Sequence, residues 1–209
     1  MLGIDISQFN KVKDLKQAKA AGVEFAIIRA VGQRNQKAGT MPYKDNMFEK
    51  HYSMAKEAGL KVGAYAYVAP VPLVTAQDTA AYVLDILKGH NFEMPIYLDC
   101  ELWTVLDKTG NTVWCNDFMY EIERHNAFVG LYGSDISTFK SLVNKNDLMH
   151  WSWWVAKYSN KKPQYATQNC HIWQYSSRGM IPGIEGYVDL NHSYLNFDVI
   201  TRRGMNIFL

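Results

Sequence analysis

Four acidic residues of the chain follow short apolar runs, at positions where strands would end. They are Asp5, Asp99, Glu101 and Asp189. In a barrel of parallel strands the carboxyl ends of all strands form one rim, and catalytic groups lie there. We therefore predict that the four carboxyl groups line one mouth. Because the first and last strands of a barrel are neighbours, Asp5 and Asp189 should lie side by side.

Asp99 and Glu101 are separated by one residue. On a strand, residues two positions apart face the same side, about 7 Å apart at Cα. Two carboxyl groups that close do not both ionise easily, so one pKa should rise and leave a proton available at neutral pH. This favours glycosidic-bond cleavage with Glu101, the longer side chain, as general acid and Asp99 as a charge beside the sugar. A single aspartate at a strand end is usually a turn or cap residue, so the prediction depends on all four acids together.

Other catalytic chemistries leave no motif in the chain. The six histidines are scattered without an H-E-x-x-H pattern, and there is no serine nucleophile elbow or phosphate-binding loop. The three cysteines, Cys100, Cys115 and Cys170, are odd in number and form no C-x-x-C pair. That argues against a zinc site or a disulfide framework. We expect a protein without metal or cofactor that folds in a reducing compartment.

Length and composition are typical of one globular domain. The chain has 209 residues, of which 48% are hydrophobic and 20% charged, and its formal net charge is +2. This charge is too small to predict nucleic-acid binding, and no apolar run approaches the roughly 20 residues that span a membrane. The first residues lack the basic and apolar segments of a signal peptide. We expect a single-domain monomer made without a signal peptide.

Helical stretches alternate with short β-rich runs, which predicts parallel strands joined by crossover helices. Gly22 and Gly59 stand where helices would end in a left-handed residue. Good helical patterns follow the first four strands and a shorter one follows the fifth, whereas later connections are poor in helix. The eight predicted strands are Leu2–Ile6, Glu24–Val31, Val62–Val68, Ile96–Cys100, Phe128–Tyr132, Trp153–Lys157, His171–Tyr175 and Tyr187–Leu190.

Aromatic side chains near the ends of these strands are candidates for stacking on sugar rings. The candidates are Tyr65, Tyr67, Tyr132, Trp154 and Tyr158. Large aromatic residues also fill cores, so packing against helices outside the barrel is the alternative for each of them. Arg29, on the second strand, would either enter the barrel and pair with an acid or face a helix.

In chain order, these motifs resemble the family 25 glycoside hydrolases, the Chalaropsis-type lysozymes. The resemblance covers essentially the whole chain. It is carried by Gly3-Ile4-Asp5-Ile6-Ser7, Phe25-Ala26-Ile27-Ile28-Arg29-Ala30, Gly63-Ala64-Tyr65-Ala66-Tyr67, the D-x-E motif Asp99-Cys100-Glu101, Trp154-Val155-Ala156-Lys157-Tyr158, Ile172-Trp173-Gln174-Tyr175 and Val188-Asp189-Leu190-Asn191. Asn10, where we expect Gln, and Cys100 within D-x-E depart from the pattern without removing a catalytic group.

The resemblance implies an α/β fold, a TIM-like (β/α)5β3 barrel. Since the sequence shows no long linker, low-complexity tract or second domain, we expect residues 1–209 to form one catalytic domain without a separate wall-binding domain. The resemblance also implies an N-acetylmuramidase that cleaves the β-1,4 bond between N-acetylmuramic acid and N-acetylglucosamine in peptidoglycan. Glu101 would be the acid, Asp99 its partner, and Asp5 and Asp189 further carboxyl groups in the mouth. Such an enzyme acts on glycan strands of the bacterial wall, after release from the cell in the manner of a phage endolysin or outside the cell.

Several alternatives stay open at this point. A separation of about 5 Å between two catalytic carboxyl groups predicts retention of the anomeric configuration, and more than about 6.5 Å predicts inversion. A third route, which we favour, uses the substrate's own 2-acetamido oxygen as nucleophile, with Asp99 orienting that group. Three other kinds of protein would explain parts of the pattern. They are a non-catalytic wall-binding barrel, a zinc amidase that cuts the peptide stem, and a chitin-type glycosidase.

Overall fold

A computed structural model describes residues 1–35, 40–101 and 106–209. Within these ranges eight strands form a closed barrel, because the first strand pairs with both the last and the second. The strands are β1 (Leu2–Ile6), β2 (Phe25–Gln33), β3 (Lys61–Tyr67), β4 (Ile96–Asp99), β5 (Val129–Ser134), β6 (Ser152–Ala156), β7 (Cys170–Gly179) and β8 (Val188–Ser193). The predicted barrel is confirmed: the bounds of β1 match the prediction, and those of the other strands differ from it by at most four residues.

The last strand differs from the prediction in direction. Strands β1 to β7 are parallel to their neighbours, but β8 runs antiparallel to both β7 and β1. The expectation that Asp189 ends a parallel strand is therefore wrong. The physical reason is the connection: residues 180–187 between β7 and β8 are fewer than the dozen or so that a parallel crossover needs.

Helices cover the barrel where the sequence predicts them. They are α1 (Leu15–Ala20), α2 (Phe48–Glu57), α3 (Ala76–Leu87) and α4 (Lys108–Glu123), one after each of the first four strands. A short π-helix (Ser137–Leu142) and a 3-10 turn (Lys145–Leu148) follow β5, and α5 (Asp198–Arg202) follows β8. A capping box of Thr75 and Asp78 begins α3, and Gly22 and Gly59, predicted to end helices in a left-handed residue, have φ of +97° and +70°.

Short strands outside the barrel tie its loops together. Lys11–Val12 pairs with Ile184–Glu185, and His90–Asn91 pairs with Ile207–Phe208. Pro42–Lys44 forms an antiparallel hairpin with the end of β2. This hairpin extends one wall of the barrel mouth.

The period of two along each strand separates two sets of side chains. In β4, for example, Leu98 belongs to the core between barrel and helices, whereas Tyr97 belongs to the aromatic cluster that fills the barrel. The next inward residue of β4 is Asp99, at the mouth. The inward-facing side chains are thus apolar at the bottom of the barrel and polar at the top. The apolar side chains close the bottom, so the barrel has a cleft at its mouth and no pore through it.

Candidate active site

The mouth of the barrel is a cleft of about 780 Å³. The four predicted acids and the five predicted aromatic residues all line it: Asp5, Asp99, Glu101, Asp189, Tyr65, Tyr67, Tyr132, Trp154 and Tyr158. The chain therefore brings together in space a set of side chains that spans most of its length.

Each acid reaches the cleft from a different local structure. Asp5 and Asp99 lie on β1 and β4 as predicted, but Glu101 lies just beyond the end of β4 and not on the strand. Asp189 is the second residue of β8 and is in register with Asp5. Because β8 is antiparallel, its beginning lies on the same rim as the ends of the parallel strands. Asp189 therefore lies beside Asp5, for a different reason from the one that the sequence suggested.

Asp5 is held by two amide side chains. Its Oδ2 accepts hydrogen bonds from Asn191 Nδ2 at 2.7 Å and Gln174 Nε2 at 2.9 Å. Burial, and then the charge of the neighbouring Asp189, raise the pKa of Asp5 to about 8, although the hydrogen bonds from Asn191 and Gln174 lower it. Asp5 therefore carries a proton in the folded protein at neutral pH.

The same amides connect Asp5 to the aromatic wall. Asn191 Oδ1 accepts a hydrogen bond of 2.7 Å from Trp154 Nε1. Gln174 Oε1 accepts hydrogen bonds from the hydroxyls of Tyr132 at 2.8 Å and Tyr158 at 3.0 Å. In each amide, the oxygen therefore accepts from an aromatic side chain and the nitrogen donates to Asp5, which fixes the orientation of both amides.

Asp99 is buried with one oxygen unpaired. Burial raises its pKa well above the ordinary value, the charges of Glu101 and Asp5 raise it further, and Arg29 lowers it. Its Oδ1 has no hydrogen-bond partner among the residues that the structure describes. An unpaired buried acceptor is costly, and this one lines the cleft, where a ligand can supply the missing donor.

Glu101 and Asp189 are also shifted toward the protonated form. Burial raises the pKa of Glu101, the interaction with the Tyr132 hydroxyl lowers it and the charge of Asp189 raises it. Burial raises the pKa of Asp189 to about 6. At neutral pH the cleft therefore combines a protonated carboxyl group, Asp5, with an ionised one, Asp189, and carboxyl groups of different protonation state are what general acid catalysis needs.

The aromatic residues divide into a packed wall and an exposed rim. Trp154 is buried and packs against Tyr65, Tyr97 and Tyr132, with ring centroids 5.9, 5.3 and 4.3 Å away. Tyr158 is 58% exposed, so its ring face is open to a ligand. Sugar stacking by these five residues stays a prediction, and Tyr158 has the geometry that suits it best.

Sequence reasoning missed three polar residues of the site. Gln174 and Asn191 lie within motifs that the resemblance uses, and their two-residue spacing from Ile172 and Asp189 would have placed them inside the barrel. Asp45 follows none of the eight predicted strands and had no such signal. It forms a buried ion pair of 2.7 Å with Arg29, so Arg29 does enter the barrel mouth, where its partner is none of the four predicted acids.

Metal binding finds no support in the described residues. In residues 1–35, 40–101 and 106–209, no group of three or more His, Cys, Asp or Glu side chains is placed to hold a metal ion. In the same ranges, no helix has the length and apolar character needed to cross a membrane.

Comparison with known proteins identifies the family. Residues 4–184 match the family model for glycosyl hydrolases family 25. The chain belongs to this family. The resemblance deduced from the ordered motifs is thereby confirmed, and the protein is a glycoside hydrolase.

This family 25 enzyme has relatives over most of its length. It is 29% identical over 203 residues to lysozyme M1 of Streptomyces globisporus, covering 90% of this chain and 66% of that protein. The bacterial lysozyme of Streptomyces coelicolor has a similar structure, with a TM-score of 0.76 and 25% identity, covering 93% of this chain and 92% of that one. A family 25 glycosyl hydrolase of Bacillus anthracis shares the fold, with a TM-score of 0.77 at 20% identity, covering 100% and 94%.

Proposed function

We propose that this family 25 enzyme is a peptidoglycan hydrolase of the lysozyme type. It cleaves the β-1,4 bond between N-acetylmuramic acid and N-acetylglucosamine. The observation that carries the proposal is the cleft itself, in which four carboxyl groups with raised pKa values meet an aromatic wall. The lysozymes among its relatives support the choice of substrate.

Glu101 is the general acid in this proposal. Its pKa is raised above the ordinary value, which favours the protonated form, and its position beyond the end of β4 places the carboxyl group in the open cleft. Glu101 gives this proton to the glycosidic oxygen as the bond to the anomeric carbon breaks. The leaving sugar departs with a hydroxyl group, and Glu101 becomes the base for the next step.

Asp99 is the group that orients the substrate's 2-acetamido substituent. Its unpaired Oδ1 accepts the acetamido N–H, and the acetamido carbonyl oxygen then attacks the anomeric carbon. Burial opposes ionisation of Asp99 and the charge of Arg29 favours it; in its ionised form Asp99 stabilises the positive charge that develops on the nitrogen. Water, deprotonated by Glu101, opens the cyclic intermediate and restores the acetamido group.

Asp5 and Asp189 have different tasks. Asp5 is protonated at neutral pH and holds Gln174 and Asn191 in place. Asp189, with a pKa of about 6, is ionised at neutral pH and supplies negative charge beside the cationic transition state.

Product analysis tests the proposal directly. Purified peptidoglycan is digested and the new ends are identified by mass spectrometry after borohydride reduction. We expect new muramic acid reducing ends. New glucosamine reducing ends, or free amino termini of the peptide stem, would assign a different bond, and absence of any new end would leave a wall-binding barrel. Cleavage of chitin oligosaccharides at an equal rate would favour the chitin-type glycosidase.

A further inference from the structure

One arm of the cleft carries cations instead of acids. We define the cationic arm as Gln8, Phe9, Arg34, Tyr43 and Lys44, which line the same cleft as the four acids. Gln8 and Phe9 lie in the loop after β1, Arg34 directly follows β2, and Tyr43 and Lys44 lie on the strand Pro42–Lys44 that pairs with β2. None of these residues has a part in the proposed chemical steps.

The arm is anchored to the barrel by buried polar side chains. Asp45 Oδ2 accepts hydrogen bonds from the Gln8 backbone N–H at 3.0 Å and from Arg29 Nε at 2.7 Å. Gln8 Nε2 in turn donates to the Tyr43 hydroxyl at 3.3 Å. Asp45 is 1% exposed, so the loop after β1 and the hairpin are both fixed to one buried carboxylate.

The base of the hairpin is fixed in a similar way by Gln33, which directly precedes Arg34. Gln33 is buried, its Oε1 accepts a hydrogen bond of 2.7 Å from the Ala69 backbone N–H, and its Nε2 donates to the Thr40 carbonyl. The backbone that carries Arg34 is therefore positioned before any ligand binds, which lowers the entropic cost of binding.

Phe9 gives the arm an apolar platform. Its side chain is 76% exposed, and Arg29 Cζ lies 4.8 Å from the ring centroid. A cation on one face of the ring holds it in place and leaves the remainder of the ring open to the cleft. Such a surface suits the apolar face of a pyranose ring.

The charges of the arm are free to act on a ligand. Arg34 is exposed and forms no ion pair with an acid in the described part of the chain. Lys44 pairs with Glu49 at 2.6 Å, but both side chains are about half exposed, and a pair of this kind contributes little. The buried Asp45 is already neutralised by Arg29. The arm is therefore net positive beside an acidic centre.

Binding of neutral sugar rings does not require the positive charge of the cationic arm. A muramic acid unit, in contrast, carries a lactyl group at its 3-oxygen, and that group ends either in a free carboxylate or in a peptide stem with carboxylates of its own. We propose that the cationic arm binds this carboxylate substituent, with Arg34 as the main contact, Lys44 as the second and Phe9 beneath the sugar. The inference rests on the proposed function, because it names the part of the same substrate that this arm recognises.

Binding to three matched glycans tests the proposal. The Glu101→Gln variant serves as an inactive background, and its Kd for each glycan is measured by calorimetry. The first glycan is a soluble strand with peptide stems, and the second is a strand from which an amidase has removed the stems. The third is a stripped strand whose lactyl carboxylates are converted to amides. We expect Arg34→Ala in this background to raise the Kd for the anionic strands about tenfold or more, the size of one charge-assisted hydrogen bond. Arg34→Lys should restore most of it.

The pattern across the three glycans identifies the carboxylate. An effect on stem-bearing strands alone assigns the peptide, and an effect on stripped strands that disappears after amidation assigns the lactyl group. An equal effect on all three glycans, or none on any, would overturn the proposal. Arg202→Ala and Lys88→Ala are the controls, because both side chains are exposed and lie outside the cleft and Lys88, like Lys44, pairs with one exposed acid. Product analysis of the unaltered enzyme tests the proposed function separately.

Discussion

Glu101 is the side chain on which the chemistry depends. Replacing it by glutamine keeps the shape and removes the proton, so we expect Glu101→Gln to lower the rate of wall clearing by about 10²–10⁴-fold with the thermal midpoint unchanged. Turbidity of a wall suspension measures the rate and circular dichroism measures the midpoint. Glu57→Gln, on the exposed side of α2, is the matched control. A folded Glu101→Gln enzyme with normal clearing would remove Glu101 from the mechanism.

Asp189 influences the pKa of the general acid, Glu101. Burial raises the pKa of Glu101 and the charge of Asp189 raises it further, and with a pKa of about 6 Asp189 is ionised where the enzyme would work. Asp189→Asn removes that charge, so the pKa of Glu101 falls and its proton is lost at lower pH. The basic limb of the kcat/KM profile should therefore move to lower pH. A shift of this limb to higher pH, or no shift, would contradict the role that we give to Asp189.

Asp5 shows that the site costs stability. Burial first, and then Asp189, raise its pKa from 3.8 to about 8, so the folded protein favours the protonated form. As pH rises through this window the unfolded chain ionises first, and stability falls. We expect Asp5→Asn to raise the thermal midpoint at pH 7, with a gain that grows from about pH 4 to about pH 8, and to lower activity. A midpoint that drops equally at both pH values would show that the carboxylate stabilises the fold.

The strands and helices explain how far the sequence alone could lead. Short β-rich runs predicted the barrel strands, some of which, such as β2 and β4, are buried on both faces, and period-3.6 patterns predicted the helices, which bury one face each. The direction of β8 was missed because Gly186-Tyr187-Val188-Asp189 has the same apolar pattern in either direction. The position of Glu101 beyond β4 was missed because a strand pattern in the sequence does not define at which residue the strand ends. Asp45 was missed because it belongs to a turn, and only the folded chain brings it to Arg29.

The pair of Arg29 and Asp45 joins β2 to the turn before α2. Its side chains are 7% and 0% exposed, so Asp45→Ala leaves a buried cation without its partner. We expect a loss of about 3–5 kcal/mol in the free energy of unfolding, measured by urea denaturation. Asp85→Ala removes the exposed partner of Lys88 and should cost less than about 1 kcal/mol. Equal losses in the two variants would mean that burial of the first pair does not matter.

Closure of the barrel makes the site a property of the whole chain. Asp5 and Asp189 meet only because β1 pairs with β8, and the Met1 ammonium group donates to the Ser193 carbonyl at 2.9 Å across the same seam. Asp99 and Glu101 come from the opposite side of the barrel, three strands beyond β1 through β2 and β3. A chain that opens at this seam therefore loses two of the four acids at once.

Activity and tertiary structure should consequently be lost together. Trp154 is buried in the barrel and hydrogen-bonded to Asn191 of β8, so the part of the near-ultraviolet circular dichroism that is lost in a Trp154→Phe variant reports the closed seam. We expect wall-clearing activity and this signal to fall with one common urea midpoint, as in a two-state transition. If activity disappears at clearly lower urea than the Trp154 signal, the mouth opens before the barrel does. The cationic arm, which is hydrogen-bonded to Asp45 and lies outside the seam between β1 and β8, would then be the segment to examine by hydrogen exchange.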